Sequence, residues 1–187
     1  MLEHVPEWLG RAMKNVRAGH EKLAVVKLGD AATIGAGGFR LSSPAFTDGG
    51  VLDPRFTADA QAPVSPPLAW TEPPAGTRSL VLLVEDPEVP SMEPFVHCLG
   101  MGMPAREGAL AEGELPPVMG LNSYQKAEWL PPDPPTGHGS HDYVFQLYAL
   151  DIASPFAADA GRSAALDAMD GHVVGTAILL GTYSRGG

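Results

Sequence analysis

Three short segments of this 187-residue chain hold the side chains best suited to chemistry. Glu85-Asp86-Pro87-Glu88-Val89-Pro90 places acids in a proline-fixed turn after an apolar run. Phe95-Val96-His97-Cys98-Leu99 and Gly137-His138-Gly139-Ser140-His141-Asp142-Tyr143 each bring a histidine near the start of an apolar run. Acids and imidazoles at strand ends suit a small polar pocket at the rim of a sheet, one that accepts a small anion or a polar headgroup. A carboxylate that bonds one ring nitrogen fixes the imidazole tautomer and leaves the other nitrogen for a ligand.

Each segment has a plainer reading. Asp86 and Glu88 flank Pro87, and an Asp in such a turn bonds nearby backbone amides. His97 within an apolar strand, and His141 ahead of the Tyr143 run, also fit the role of satisfied core histidines. The pocket gains ground because the acids and both histidines stand at strand ends. Cys98 beside His97 suggests a thiol nucleophile, but strand neighbours point to opposite faces. With His97 toward a pocket, Cys98 is expected in the core as a small hydrophobe. His138, His141, His97 and Asp86 are types that ligate metals, yet the segment shows no zinc spacing on one helix face. No metal and no cofactor are expected.

The elements that must position these residues read as mainly β. Ser79 to Val84 is apolar on both faces, as a central buried strand would be. Residues 95–103 form a second strand, with Phe95, His97, Leu99, Met101 and Met103 on one face and Val96, Cys98, Gly100 and Gly102 on the other. Tyr143 to Leu150 is the clearest strand, aromatic and aliphatic in composition. Val173 to Tyr183 reads as a further strand or a mixed segment, Ser163 to Met169 as a short helix stopped near Gly171. Turn signals crowd residues 36–78 between short strands, and residues 104–140 form a long proline-rich connection. Residues 5–17 read as an amphipathic helix with Val5, Trp8, Leu9, Met13 and Val16 on its apolar stripe. It packs on its own domain or a twin subunit, giving a homodimer in the latter case, in preference to a membrane surface.

Composition narrows the classes. Asp plus Glu number 22 against 12 Lys plus Arg, a net charge of −10, which excludes the basic footprint of a nucleic-acid binder. No apolar run approaches transmembrane length, so no stable membrane insertion is expected. One cysteine allows no internal disulfide, and the N-terminal residues lack the apolar stretch of a secretory signal. The expected compartment is the cytoplasm.

In order along the chain, these segments join Leu41-Ser42-Ser43-Pro44-Ala45-Phe46, Val64-Ser65-Pro66-Pro67-Leu68-Ala69-Trp70, Pro74-Ala75-Gly76-Thr77 and a closing Gly181-Thr182-Tyr183-Ser184-Arg185. The set resembles the phosphatidylethanolamine-binding protein family, also called Raf kinase inhibitor-like, and most closely its bacterial and archaeal branch. The resemblance implies one β-domain over 39–187, preceded by the helix and lead-in of 1–38. It implies two antiparallel sheets in a Greek-key-like sandwich with a few short peripheral helices. It also implies a small anion pocket in which Asp86 is the first acid and Glu88 stands in place of the second. His97 and His141 match its histidines, Pro135 and Tyr143 its wall.

Several positions depart from that pattern: Glu88 for Asp, Phe95 for Trp, Cys98 where an aromatic is common, Asp142 for Arg. Asp142 is expected to point away from the pocket. Asp133 at the rim is expected to weaken anion binding by repulsion. The function expected from this resemblance is non-enzymatic binding of a phosphate-, sulfate- or carboxylate-like ligand, with modulation of a partner protein in the manner of a kinase or protease inhibitor. The rival is a hydrolase using His97 or His141 as general base, for which no nucleophile motif such as GxSxG is present.

Overall fold

The computed structural model describes residues 18–28, 30–153 and 155–185. The amphipathic helix expected over 5–17 lies outside them. Among the described residues, nine strands run β1 (Leu41–Ser42), β2 (Gly50–Val51), β3 (Leu68–Trp70), β4 (Ser79–Asp86), β5 (Phe95–Met103), β6 (Gly108–Leu110), β7 (Val118–Met119), β8 (His141–Leu150) and β9 (Val173–Tyr183). Two short α-helices, α1 (Ala24–Lys27) and α2 (Arg162–Met169), lie at the periphery. Among the described residues, no helix is long and apolar enough to cross a membrane.

The strands form a six-stranded sheet in the order β2-β9-β8-β4-β5-β7 and a three-stranded sheet in the order β1-β3-β6. Pairing is antiparallel except at one edge, where β2 runs parallel to β9. That one parallel edge pair is possible because β2 is only two residues long and returns from a loop, so no hairpin constrains its direction.

β4 is central and buried at all eight positions, which is why its sequence is apolar on both faces. Its even side chains Leu80, Leu82 and Val84 meet Leu68, Trp70 and Leu110 of the small sheet. Val81 and Leu83 face the other way, onto Ala24 of α1 and Ala165, Leu166 and Met169 of α2. The molecule is thus three layers: small sheet, large sheet, helices. β8 repeats the logic, sending Tyr143, Phe145 and Leu147 to the inter-sheet core and Tyr148 and Leu150 to the helical side. Each fully buried large side chain contributes on the order of 1.5–3 kcal/mol.

β5 breaks the alternation predicted for it. Val84 pairs with Cys98 and Glu85 with Val96, so His97 is an extra residue with no partner on β4. A second shift skips Gly102, whose φ of 93° is open to glycine. Two bulges therefore reverse the faces twice. Val96, Leu99 and Met101 lie on the helical side, whereas Cys98 and Met103 lie in the inter-sheet core. His97 packs against Trp129 and Tyr143 of that same inter-sheet layer, so it and Cys98 share a side instead of opposing one another.

Candidate functional site

The C-terminal end of β4, the N-terminal ends of β5 and β8, and the wall of the 120–140 loop enclose a cavity of about 280 Å³. Asp86, His97 and His141 line it, with Phe95, Tyr124, Leu130, Pro131 and Asp133. Ala58, Ala60 and Pro63 close the side from the 50s loop.

Asp86 satisfies both readings of its motif with different oxygens. Oδ1 accepts the Glu88 amide at 2.7 Å, the turn chemistry expected of an Asp-Pro segment. Oδ2 accepts from His141 Nδ1, also at 2.7 Å. His141 is the first residue of β8 and fully buried. Its other nitrogen, Nε2, is 2.7 Å from Nδ1 of His138. His138 is buried too, because the 135–138 turn closes through its amide onto the Pro135 carbonyl and Gly139 (φ 106°) takes the chain back toward β8. With Nδ1–H given to the carboxylate, a neutral His141 presents Nε2 as an acceptor, and His138 Nδ1–H donates to it. The result is a continuous Asp86–His141–His138 chain.

His97 is held differently. Its Nδ1 is 2.6 Å from the Leu130 carbonyl, which can only accept, so the proton sits on Nδ1. Among the described residues, the polar side-chain atoms that are buried and unpartnered are His97 Nε2 and the Tyr143 hydroxyl. The two rings meet edge to face with centroids 5.1 Å apart. Burial lowers the pKa of His97 below the ordinary histidine value, outweighing the attraction of Asp86. Burial likewise holds the Tyr143 phenol well above its ordinary range, and the negative charge of Asp86 adds to that. Burial pushes the Cys98 thiol up to about 12, so it stays a thiol in the core.

The remaining predicted residues do not line the cavity. Glu88 is turned to the outer side of the turn, where its Oε1 lies 3.5 Å from His20 Nδ1. Pro135 serves the turn that carries His138, and Tyr143 stands against the His97 ring. Asp142 points away from the cavity, with Oδ2 3.0 Å from His20 Nε2. His20, Glu88 and Asp142 are the one group among the described residues whose ligating atoms gather closely enough to hold a metal ion. The imidazole already bridges the two acids.

Asp133 does line the cavity, but Arg185 is paired with it. Arg185 also bonds Asp59 through Nε at 2.7 Å, and that hydrogen bond holds the Asp59 carboxyl below the usual range. One guanidinium thus serves two acids, and the repulsion expected from Asp133 is reduced. His138 and Arg185 are the residues whose parts sequence reasoning left unassigned. His138 had a visible signal, a histidine between two glycines three positions before His141. The Arg185–Asp133 pair spans 52 positions and had none.

These features define a class: a two-sheet β-protein with an acid–imidazole cavity where three strand ends meet. A sequence model of that kind, described as "Phosphatidylethanolamine-binding protein", matches residues 42–184. The chain is 37% identical over 153 residues to a UPF0098 protein of the archaeon Methanothermobacter thermautotrophicus, covering 78% of this chain and 99% of that one. A Chlamydia trachomatis crystal structure described as a putative phosphatidylethanolamine-binding protein homolog superposes with a TM-score of 0.73 at 34% identity, covering 79% and 97% of the two chains. Escherichia coli YbcL, at 24% identity, shares the fold with a TM-score of 0.71 over 78% of this chain and 98% of its own. This chain belongs to the phosphatidylethanolamine-binding protein family.

Proposed function

We propose that the protein binds a small oxyanion without chemical turnover, taking phosphate-, sulfate- or carboxylate-like groups at the cavity lined by Asp86, His97 and His141. The carrying observation is His97 Nε2, a polar atom that is buried and unpartnered on a residue lining the cavity. Leaving such an atom unbonded costs on the order of 1–3 kcal/mol, which a ligand bonded to it recovers. The size, about 280 Å³, suits a headgroup rather than a polymer. The mostly apolar rim of Phe95, Val89, Leu130 and Pro131 favours a ligand with an uncharged body behind its polar end.

The hydrolase reading finds less support. No serine, threonine, cysteine or lysine lines the cavity among the described residues, and His141 has both ring nitrogens engaged. Modulation of a partner protein, a cytoplasmic setting and a homodimer through the N-terminal helix rest on sequence and family resemblance.

Titration with phosphate, sulfate and acetate, followed by calorimetry and thermal shift, tests the reading. Saturating ligand raises the melting temperature as binding to the native state alone requires. His97→Ala abolishes the shift, and p-nitrophenyl phosphate and p-nitrophenyl acetate are not turned over. Absence of any shift with all three anions from pH 5.5 to 8 refutes it.

A further inference from the structure

We infer that the oxyanion enters this cavity together with one proton, and that the proton resides on His97 Nε2 because His138 occupies the competing nitrogen of His141. The inference rests on the oxyanion reading above and adds what that reading leaves open: the protonation state of the complex.

The geometry accounts for the nitrogens of the two histidines that line the cavity. His141 Nδ1 gives its hydrogen to Asp86 at 2.7 Å, and its Nε2 is filled by His138 at 2.7 Å. Both ring nitrogens of His141 are therefore engaged by protein groups, and neither faces a ligand unpartnered. His97 Nδ1 is committed to the Leu130 carbonyl at 2.6 Å. The alternative tautomer would set a nitrogen lone pair against that carbonyl oxygen, two acceptors at 2.6 Å, and is excluded. In the neutral ring, Nε2 is therefore a bare lone pair, buried and unpartnered. An anion's oxygen brought against that lone pair is repelled. The same oxygen brought against N–H of the imidazolium makes a charge-assisted hydrogen bond. Capture of an oxyanion thus requires proton uptake at this atom, or a ligand that carries the proton in itself.

The acids facing His97 favour this placement. Asp86 comes from the end of β4, His141 and Tyr143 from β8, Asp133 from the 120–140 loop, and Arg185 follows β9 and pairs with Asp133. Burial opposes a proton on His97 in the unliganded protein, and the neighbouring His141 adds to that, while Asp86 and Asp133 attract one. The incoming anion tips this balance by adding a negative charge. The added proton in turn offsets the repulsion between the anion and Asp86.

Calorimetric titration of the full chain with sodium sulfate, run at pH 7.5 in two buffers of different ionisation enthalpy, counts the protons taken up. Sulfate stays dianionic in this range, so any proton belongs to the protein. The expected result is an uptake close to one proton per sulfate, with affinity falling about tenfold per pH unit between pH 7 and 8. Phosphate, which can bring its own proton, shows a shallower dependence. His97→Gln abolishes the uptake and flattens the profile; the ¹⁵N shift of His97 Nε2 in the native protein, moving to the imidazolium position on sulfate addition, reads the same event without mutation. Sulfate binding with no proton uptake, or uptake that survives in His97→Gln, overturns the proton assignment and leaves oxyanion binding standing. Failure of sulfate, phosphate and acetate to bind at any pH overturns both.

Discussion

Glu85 and Asp86 are neighbours on β4, both buried, and they face opposite sides of one sheet. On the helical side, Glu85 sits in a closed network. Its Oε1 takes Arg162 Nε at 2.5 Å, and its Oε2 takes Gln146 Nε2 and the Ala24 amide, each at 2.8 Å. Gln146 Oε1 in turn accepts the Val25 amide at 2.9 Å and the Tyr148 hydroxyl at 2.6 Å. On the cavity side, Asp86 organises His141 and His138 but leaves His97 Nε2 unbonded, as is the Tyr143 hydroxyl on the residue packed against the His97 ring. The same residue class one position apart thus does two jobs. The closed network straps residues 22–25 to the sheet, while the open one keeps binding capacity for something else.

The sharpest break of this contrast is Arg162→Met. It leaves Glu85 buried beside no cation, and loss of about 3 kcal/mol or more is expected in urea unfolding. A loss below about 1 kcal/mol would mean that the network is not the closed one described.

Next in size is the pH dependence of the unliganded protein. His97 has a lowered pKa when folded, so below about 6.5 the unfolded chain binds the proton that the folded chain refuses. Its contribution to stability is fully present above that value and is lost as pH falls from there toward the folded value. The slope reaches at most about 1.4 kcal/mol per pH unit. His97→Gln should show a shallower acid-side decline in thermal melts at pH 5 to 7. Equal slopes in the two proteins would assign the loss to other groups.

The tyrosines of β8 give a matched pair, since both are fully buried and only one hydroxyl is bonded. Tyr148→Phe should cost about 1 kcal/mol, and Tyr143→Phe about nothing or a small gain, because it removes a buried unsatisfied group. Equal costs would erase the distinction between the two sides. The smallest effect is expected from His20→Ala. Its ring bridges Glu88 and Asp142 but is more than half exposed, so under about 1 kcal/mol should be lost, and less at high salt. A larger loss would move the main anchor of the lead-in from Glu85 to the rim.

Much of this was legible along the chain. The runs at Ser79–Val84 and Tyr143–Leu150 are strands of the large sheet because their composition admits little else. Asp86, His97 and His141 meet at one cavity because each lies at or near the end of a strand whose neighbours the sheet order brings together. The faces of β5 were not legible. Period-two reasoning assumes one residue per partner, and whether His97 is skipped depends on its pairing with β4. Neither was the role of Glu88, whose place in the motif suggested the pocket and whose side chain meets His20 instead.

The linear sequence alone therefore determined the β class, the buried centre of the large sheet and the chemical types available to a site, since these follow from hydrophobic pattern and residue chemistry. The tertiary structure alone decided which nitrogen of each histidine is engaged, which two acids Arg185 pairs with, and which face each β5 residue takes. Those outcomes depend on partners tens of residues away, because a hydrogen bond or a bulge is a property of two segments in contact and is written in neither one by itself.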